Sequence, residues 1–187
     1  MLDLSSMKAI ILISSVFFMI SCSEKSSQFS QDNNYSEGKD LPVAASQDIQ
    51  INEISFKSKD ENEFGKKSDW IELHNTTDQD LLLSSGDWTI SDKLEKPNKF
   101  SIPEVKIEAN GYLLIWCDKS KLSGDDIHAN FKISSKGETI SLYHNQNKVD
   151  EVTFDSTIAD LGYFKRIEND YQAWQETSES TPNSENL

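Results

Sequence analysis

Three features of the sequence predict an all-β fold. Between Ile49 and Phe154, short apolar segments recur about every ten residues, the spacing of a sandwich or barrel. Turn-forming residues separate them, as in Asn75-Thr76-Thr77-Asp78 and Ser84-Ser85-Gly86-Asp87. No stretch beyond residue 22 carries a convincing helical period.

Each element has its own signature. Gln50-Ile51-Asn52-Glu53-Ile54-Ser55-Phe56 is the first strand, and its alternation changes phase between Ile51 and Ile54, which predicts a β-bulge. Trp70 to His74 follows, with Ile71 and Leu73 on one face, and Asn75 caps the turn after it through its amide. Leu81-Leu82-Leu83 and Trp88-Thr89-Ile90 are short strands, and Trp88 is the expected central aromatic of the core. Phe100-Ser101-Ile102-Pro103 reads as an edge segment, because proline donates no ladder hydrogen bond. Tyr112 to Cys117 is a nearly unbroken apolar run, which predicts burial on both sides. Ile127 to Ile133, Glu138 to Tyr143 and Val149 to Phe154 complete the series, the last two joined by the loop His144-Asn145-Gln146-Asn147. Gly86, Gly111 and Gly137 stand at turns where a positive φ is expected. Leu161, Tyr163, Phe164, Ile167 and Trp174 are irregularly spaced and read as loops pinned by aromatic anchors.

The chain divides into three parts. Residues 1–21 hold one cation, Lys8, and an apolar run from Ala9 to Ile20. The run falls short of the roughly 20 residues a spanning helix needs and suits a secretory signal. Met7-Lys8 is a more ordinary start for such a signal than Met1, with Asp3 close behind it. Met19-Ile20-Ser21-Cys22 resembles the lipobox of bacterial lipoproteins, with Met where Leu is usual. The resemblance implies cleavage before Cys22, lipid on that residue, and a mature protein held at a membrane surface outside the cytoplasm. Residues 22–47 are polar and form a tether, which as a flexible coil spans about 25–30 Å. Residues 48–187 form the folded domain with an extended, polar C-terminal tail.

Composition narrows the function. The net charge is −14 over 187 residues, and Arg166 is the only arginine. Nucleic-acid binders present a basic stripe, so nucleic acid is not an expected partner. Of the two cysteines, a lipidated Cys22 leaves Cys117 without a disulfide partner, and Cys117 reads as a small buried hydrophobe.

Catalytic and metal signatures are weak. His74, His128 and His144 form no metal-binding spacing, and no nucleophile elbow or phosphate loop is present. Glu53, Asp69, Glu72, Asp87, Asp92 and Asp118 lie near strand ends, and Asp125-Asp126 is a loop pair. Calcium takes 6–8 oxygens, often from such loops, but no D-x-D-x-D-G run supports a site. No cofactor is expected.

Taken together, Trp70-Ile71-Glu72-Leu73-His74-Asn75, Gly86-Asp87-Trp88-Thr89-Ile90, Phe100-Ser101-Ile102-Pro103, Ile107 to Ile115, His128-Ala129-Asn130-Phe131, Gly137 to Leu142 and Val149-Asp150-Glu151-Val152 resemble the lamin tail domain. Thr181-Pro182-Asn183-Ser184-Glu185-Asn186 resembles the ending of bacterial versions. Those versions often carry a Gly-Arg turn near the end, where this chain has Leu161-Gly162-Tyr163-Phe164-Lys165-Arg166. The resemblance implies an immunoglobulin-like β-sandwich.

The expected function is that of an envelope-anchored, non-enzymatic lipoprotein whose domain binds a protein or serves a structural role. Ser23 after Cys22 suggests the outer membrane by the sorting pattern of Gram-negative lipoproteins. The sheet edge at Phe100, Ser101, Ile102 and Pro103 is the candidate partner surface through strand addition. Two alternatives stand beside this reading. One is a carbohydrate-binding module using Trp70, Trp116, Tyr143 and Trp174 as stacking platforms, with a glycan as partner. The other is a calcium-binding accessory module of an extracytoplasmic hydrolase or nuclease.

Overall fold

A computed structural model describes residues 41–156, 162–167 and 170–186. The expected signal segment, Cys22 and most of the tether lie outside the described residues. Among the described residues, no helix is long and apolar enough to cross a membrane.

Among the described residues, twelve strands run in order: β1 (Ile49–Ser55), β2 (Trp70–Asn75), β3 (Leu81–Leu83), β4 (Trp88–Ser91), β5 (Phe100–Ser101), β6 (Val105–Ile107), β7 (Tyr112–Trp116), β8 (Ile127–His128), β9 (Gly137–His144), β10 (Asn147–Asp155), β11 (Tyr163–Ile167) and β12 (Asp170–Thr177). They form a six-stranded sheet ordered β12-β11-β1-β2-β7-β8, a four-stranded sheet ordered β10-β9-β4-β5, and the pair β3-β6. The fold is the expected all-β immunoglobulin-like sandwich.

The core lies between the two larger sheets. Ile51, Ile54, Ile71, Leu73 and Ile115 from one meet Trp88, Ile90, Ile140, Leu142 and Val152 from the other. Phe56 stacks on Phe154 with centroids 4.9 Å apart. Trp88 is fully buried as expected and stacks on His144 at 4.4 Å.

The bulge falls where the phase change places it. The β1–β2 register shifts between Ile51 and Glu53, so Asn52 is the extra residue. Ile51 and Ile54 can then both face the core, while Glu53 comes opposite Glu72. The Asn75 turn also forms as expected. Its Oδ1 accepts from Thr77 N–H at 3.0 Å, and its Nδ2 donates to the Gln79 and Glu108 carbonyls at 2.8 Å.

Several expectations need correction. The residues read as pinned loops are the strands β11 and β12, which extend the large sheet beyond β1. Charged residues obscured them: Lys165 and Arg166 are buried in β11, and a second register shift between Arg166 and Ile167 breaks the alternation. The folded body also starts before residue 48. Ala44 is buried, Ala44 N–H donates to Leu82 O at 3.0 Å, and Leu82 N–H donates to Pro42 O at 2.9 Å. Gly86 and Gly137 have positive φ, but at the Asn110-Gly111 turn Asn110 takes that conformation, with φ 52°. Gly111 is needed for space, since a Cβ there would lie 2.8 Å from Glu108 O. The run Tyr112–Leu114 is only half-buried; full burial begins at Ile115.

Candidate functional site: the outer face of the large sheet and the groove beside β7

Alternation along each strand gives the large sheet an outer face of unusual content. One row across it is Tyr163, Ser55, Trp70 and Trp116. The next row is Lys165, Glu53, Glu72 and Leu114. Trp70, Trp116 and Tyr163 form a second small core, with Leu114 packed against it. Glu53 and Glu72 are both fully buried.

The C-terminal segment reaches this acidic row through hydrogen bonds. Thr181 donates to Glu53 Oε2 through its N–H at 3.2 Å and its hydroxyl at 2.7 Å. Asn183 N–H donates to Glu72 Oε2 at 2.5 Å. Asn186 Nδ2 donates to Arg166 O at 2.9 Å and Asn52 Oδ1 at 3.1 Å. The bulge residue Asn52 donates to Glu72 Oε1 at 2.8 Å. Burial pushes Glu72 up to about 8 and also raises Glu53; the donated hydrogen bonds oppose both shifts.

A polar network braces the loop before β8. Glu63 accepts from Asp125 N–H at 2.9 Å and Asp126 N–H at 3.3 Å. His128 lies between carboxylates, with Nε2 3.2 Å from Glu63 Oε1 and Nδ1 3.1 Å from both Asp118 oxygens. Trp116 Nε1 donates to Asp126 at 2.9 Å. The Asp125 N–H, with help from His128 and Asp126, holds Glu63 below the usual carboxylate range. Burial would raise Asp118, but the Ser120 N–H and His128 bonds together bring it below its usual value.

Between this loop and the C-terminal segment lies a groove of about 310 Å³. Tyr112, Leu114, Trp116 and Asn183 line it together with Leu113, Val105, Ile127 and the pair Asp125 and Asp126. Leu113 belongs to the opposite face of β7 from its two neighbours, so the groove follows the edge of that strand. β8 runs parallel to β7 and pairs only with Ile115 and Trp116.

The residues singled out in the sequence are dispersed. Phe100 and Ser101 do form the edge of the smaller sheet, but that edge strand is two residues long. Ile102 is not available to a partner: it is fully buried and its N–H donates to Trp88 O at 3.0 Å. Pro103 is exposed. Of the four aromatics proposed as glycan platforms, Trp70, Trp116 and Tyr143 are buried, and Trp174 packs on Phe164 and Arg166. Among the described residues, no group of three or more His, Cys, Asp or Glu side chains is placed to hold a metal ion. Cys117 is buried, and burial together with nearby Asp69, Glu138, Asp118 and Asp92 pushes its thiol well above its usual range. Sequence reasoning did not single out Leu114, Ile127 or Asn183 for the groove; the signal present was Asp125-Asp126 beside an apolar run.

The lamin tail domain model matches residues 42–156, and the chain belongs to that family. No curated protein matches the chain. The family is one of immunoglobulin-like structural or protein-binding modules.

Proposed function

We propose that this chain is a lipid-anchored, non-enzymatic module of the bacterial envelope that captures a protein partner. The observation that carries the reading is the groove beside β7, where Val105, Leu113, Leu114 and Ile127 give an apolar floor and Asp125 and Asp126 an acidic wall. Apolar pockets with a few placed polar groups are where an interface seats a partner's anchoring side chains. Cys22, following the apolar run Ala9 to Ile20, supplies the anchor, and Ser23 directs it to the outer membrane. The burial of Trp70, Trp116 and Tyr143 weighs against the glycan alternative.

The anchor is tested by labelling cells that express the full chain with radioactive palmitate. Label and membrane association are both expected, and both should be lost in Cys22→Ser. A Cys22→Ser chain that kept both would overturn the anchoring. Photo-crosslinkers placed around the domain should yield one reproducible protein adduct in the envelope. Their failure at every position would overturn protein capture.

A further inference from the structure

Glu53 and Glu72 stand directly opposite each other on β1 and β2, and both are fully buried. Like charges so placed repel, and the more so where water is excluded. Lys165 lies opposite Glu53 from β11, and Leu114 lies opposite Glu72 from β7. Asp60, in the loop between β1 and β2, is a third carboxylate near Glu53, and it accepts from the Trp70 indole and the Ser180 hydroxyl. The C-terminal segment brings neutral donors to the pair, from Thr181 and Asn183. Its own carboxylates, Glu179 and Glu185, are exposed.

Two buried carboxylates thus face one cation, and a proton on one of them restores the balance. Glu53 has Lys165 opposite it and two donors from Thr181, so it is the member that ionises. Glu72 accepts from Asn52 and Asn183 alone, so it is the member that keeps the proton. Glu53 Oε1 is buried and accepts no hydrogen bond among the described residues, which leaves a lone acceptor on the carboxylate opposite the protonated one.

We propose that Glu53 and Glu72 share one buried proton that fastens the C-terminal segment, residues 178–186, to the outer face of the large sheet, and that loss of this proton releases the segment. Without the proton, two charges are buried together against one cation. Lifting the segment admits water to both and removes that cost. Asn183 then leaves the wall of the groove beside β7, and Trp70, Trp116 and Tyr163 gain solvent. The release is a property of this chain alone and holds whether or not the domain captures a protein.

The test places a nitroxide on Glu185→Cys, an exposed position, in the full chain in detergent micelles with Cys22→Ser. Cys117 is buried and takes no label. Electron paramagnetic resonance should show the label held at pH 6.5 and mobile at pH 9.5. The midpoint should fall near 8, because burial pushes Glu72 up to about 8. Circular dichroism should stay constant over that range, which marks the change as local. Glu72→Gln carries an amide where the protonated acid stood and should hold the label at both pH values. A label held equally at pH 9.5 would overturn the proposal. So would release in Glu72→Gln at the parent's midpoint, or release that coincides with loss of the circular dichroism signal. Should Glu72→Gln not fold, acrylamide quenching of tryptophan in the parent chain decides: it should rise between pH 6.5 and 9.5, and constant quenching would overturn the proposal.

Discussion

Asn183 donates its main-chain N–H to Glu72 at 2.5 Å, joining the C-terminal segment to β2 across 111 residues of chain. Asn183 also lines the groove beside β7. The C-terminal segment is therefore part of the site as well as a clasp on the sheet's outer face. The bulge at Asn52 makes this possible, since it brings Glu53 opposite Glu72 while Ile51 and Ile54 stay in the core.

Glu72 makes stability depend on pH. Its pKa is raised from 4.5 to about 8. In the unfolded chain Glu72 loses its proton near its ordinary value; in the folded chain it keeps it to much higher pH. Its contribution to stability is complete below about pH 4.5 and is lost as pH rises toward 8. Glu53, Asp69 and Glu138 are also raised and act in the same direction. The melting temperature should be higher at pH 5.5 than at 8.5, and Glu72→Gln should reduce the difference. A higher melting temperature at pH 8.5, or an unaltered pH slope in Glu72→Gln, would contradict this account.

Ending the chain after Thr177 removes the clasp. Glu53 and Glu72 lose donors from Thr181 and Asn183, at about 1 kcal/mol for each net hydrogen bond and more where a buried acceptor is left unsatisfied. The truncated chain should be destabilised by about 2–4 kcal/mol in urea. Its tryptophan emission should shift to the red as Trp70 and Trp116 gain water. Unchanged stability and emission would show that the segment only rests on the surface.

Arg166 ties the large sheet to β10. Its Nε donates to Ile51 O at 2.8 Å, its Nη2 reaches Asp150 at 2.6 Å, and its guanidinium lies 4.6 Å from the Trp174 ring centroid. Removing one partner of a buried pair costs about 3–5 kcal/mol, so Arg166→Ala should be severely destabilising. Arg166→Lys should recover less than half of that, because an ammonium cannot reproduce the planar fork and the stacking together. Denaturant unfolding of the two variants checks both expectations.

Deleting Asn52 should be worse than substituting it. Without the extra residue, either Ile51 or Ile54 must leave the core, since a one-residue slip exchanges the faces of the strand. Loss of one such side chain from the core costs about 2–5 kcal/mol. Asn52→Ala keeps the backbone bulge and loses the amide's bond to Glu72 at 2.8 Å and the one it accepts from Asn186 at 3.1 Å. Circular dichroism melts of the two variants should rank the deletion well below the substitution.

The elements that packing alone dictates were legible in the sequence. The phase change at Ile51 and Ile54, the turn at Asn75 and the burial of Trp88 each follow from local pattern. β11 and β12 were not legible because Lys165 and Arg166 occupy buried positions that pattern reading reserves for apolar residues. Their charges are accommodated by residues on other strands: Lys165 stands opposite Glu53, and Arg166 pairs with Asp150. The acidic row has the same character: Glu53 and Glu72 look like solvated strand-end carboxylates until the C-terminal segment is laid against them. The groove arises from where β8 stops, a tertiary fact with no local signature. The edge expected at Phe100–Pro103 rested on proline, which marks an edge but says nothing of its two-residue length.

The central claim is tested most directly by photo-crosslinking in living cells. One crosslinking residue replaces Asp125 on the wall of the groove, and another replaces Ser101 on the edge of the smaller sheet, both exposed positions in the full chain. The account predicts one reproducible protein adduct from position 125 and none from position 101. An adduct formed only from position 101 would contradict it and restore the β5 edge as the partner surface.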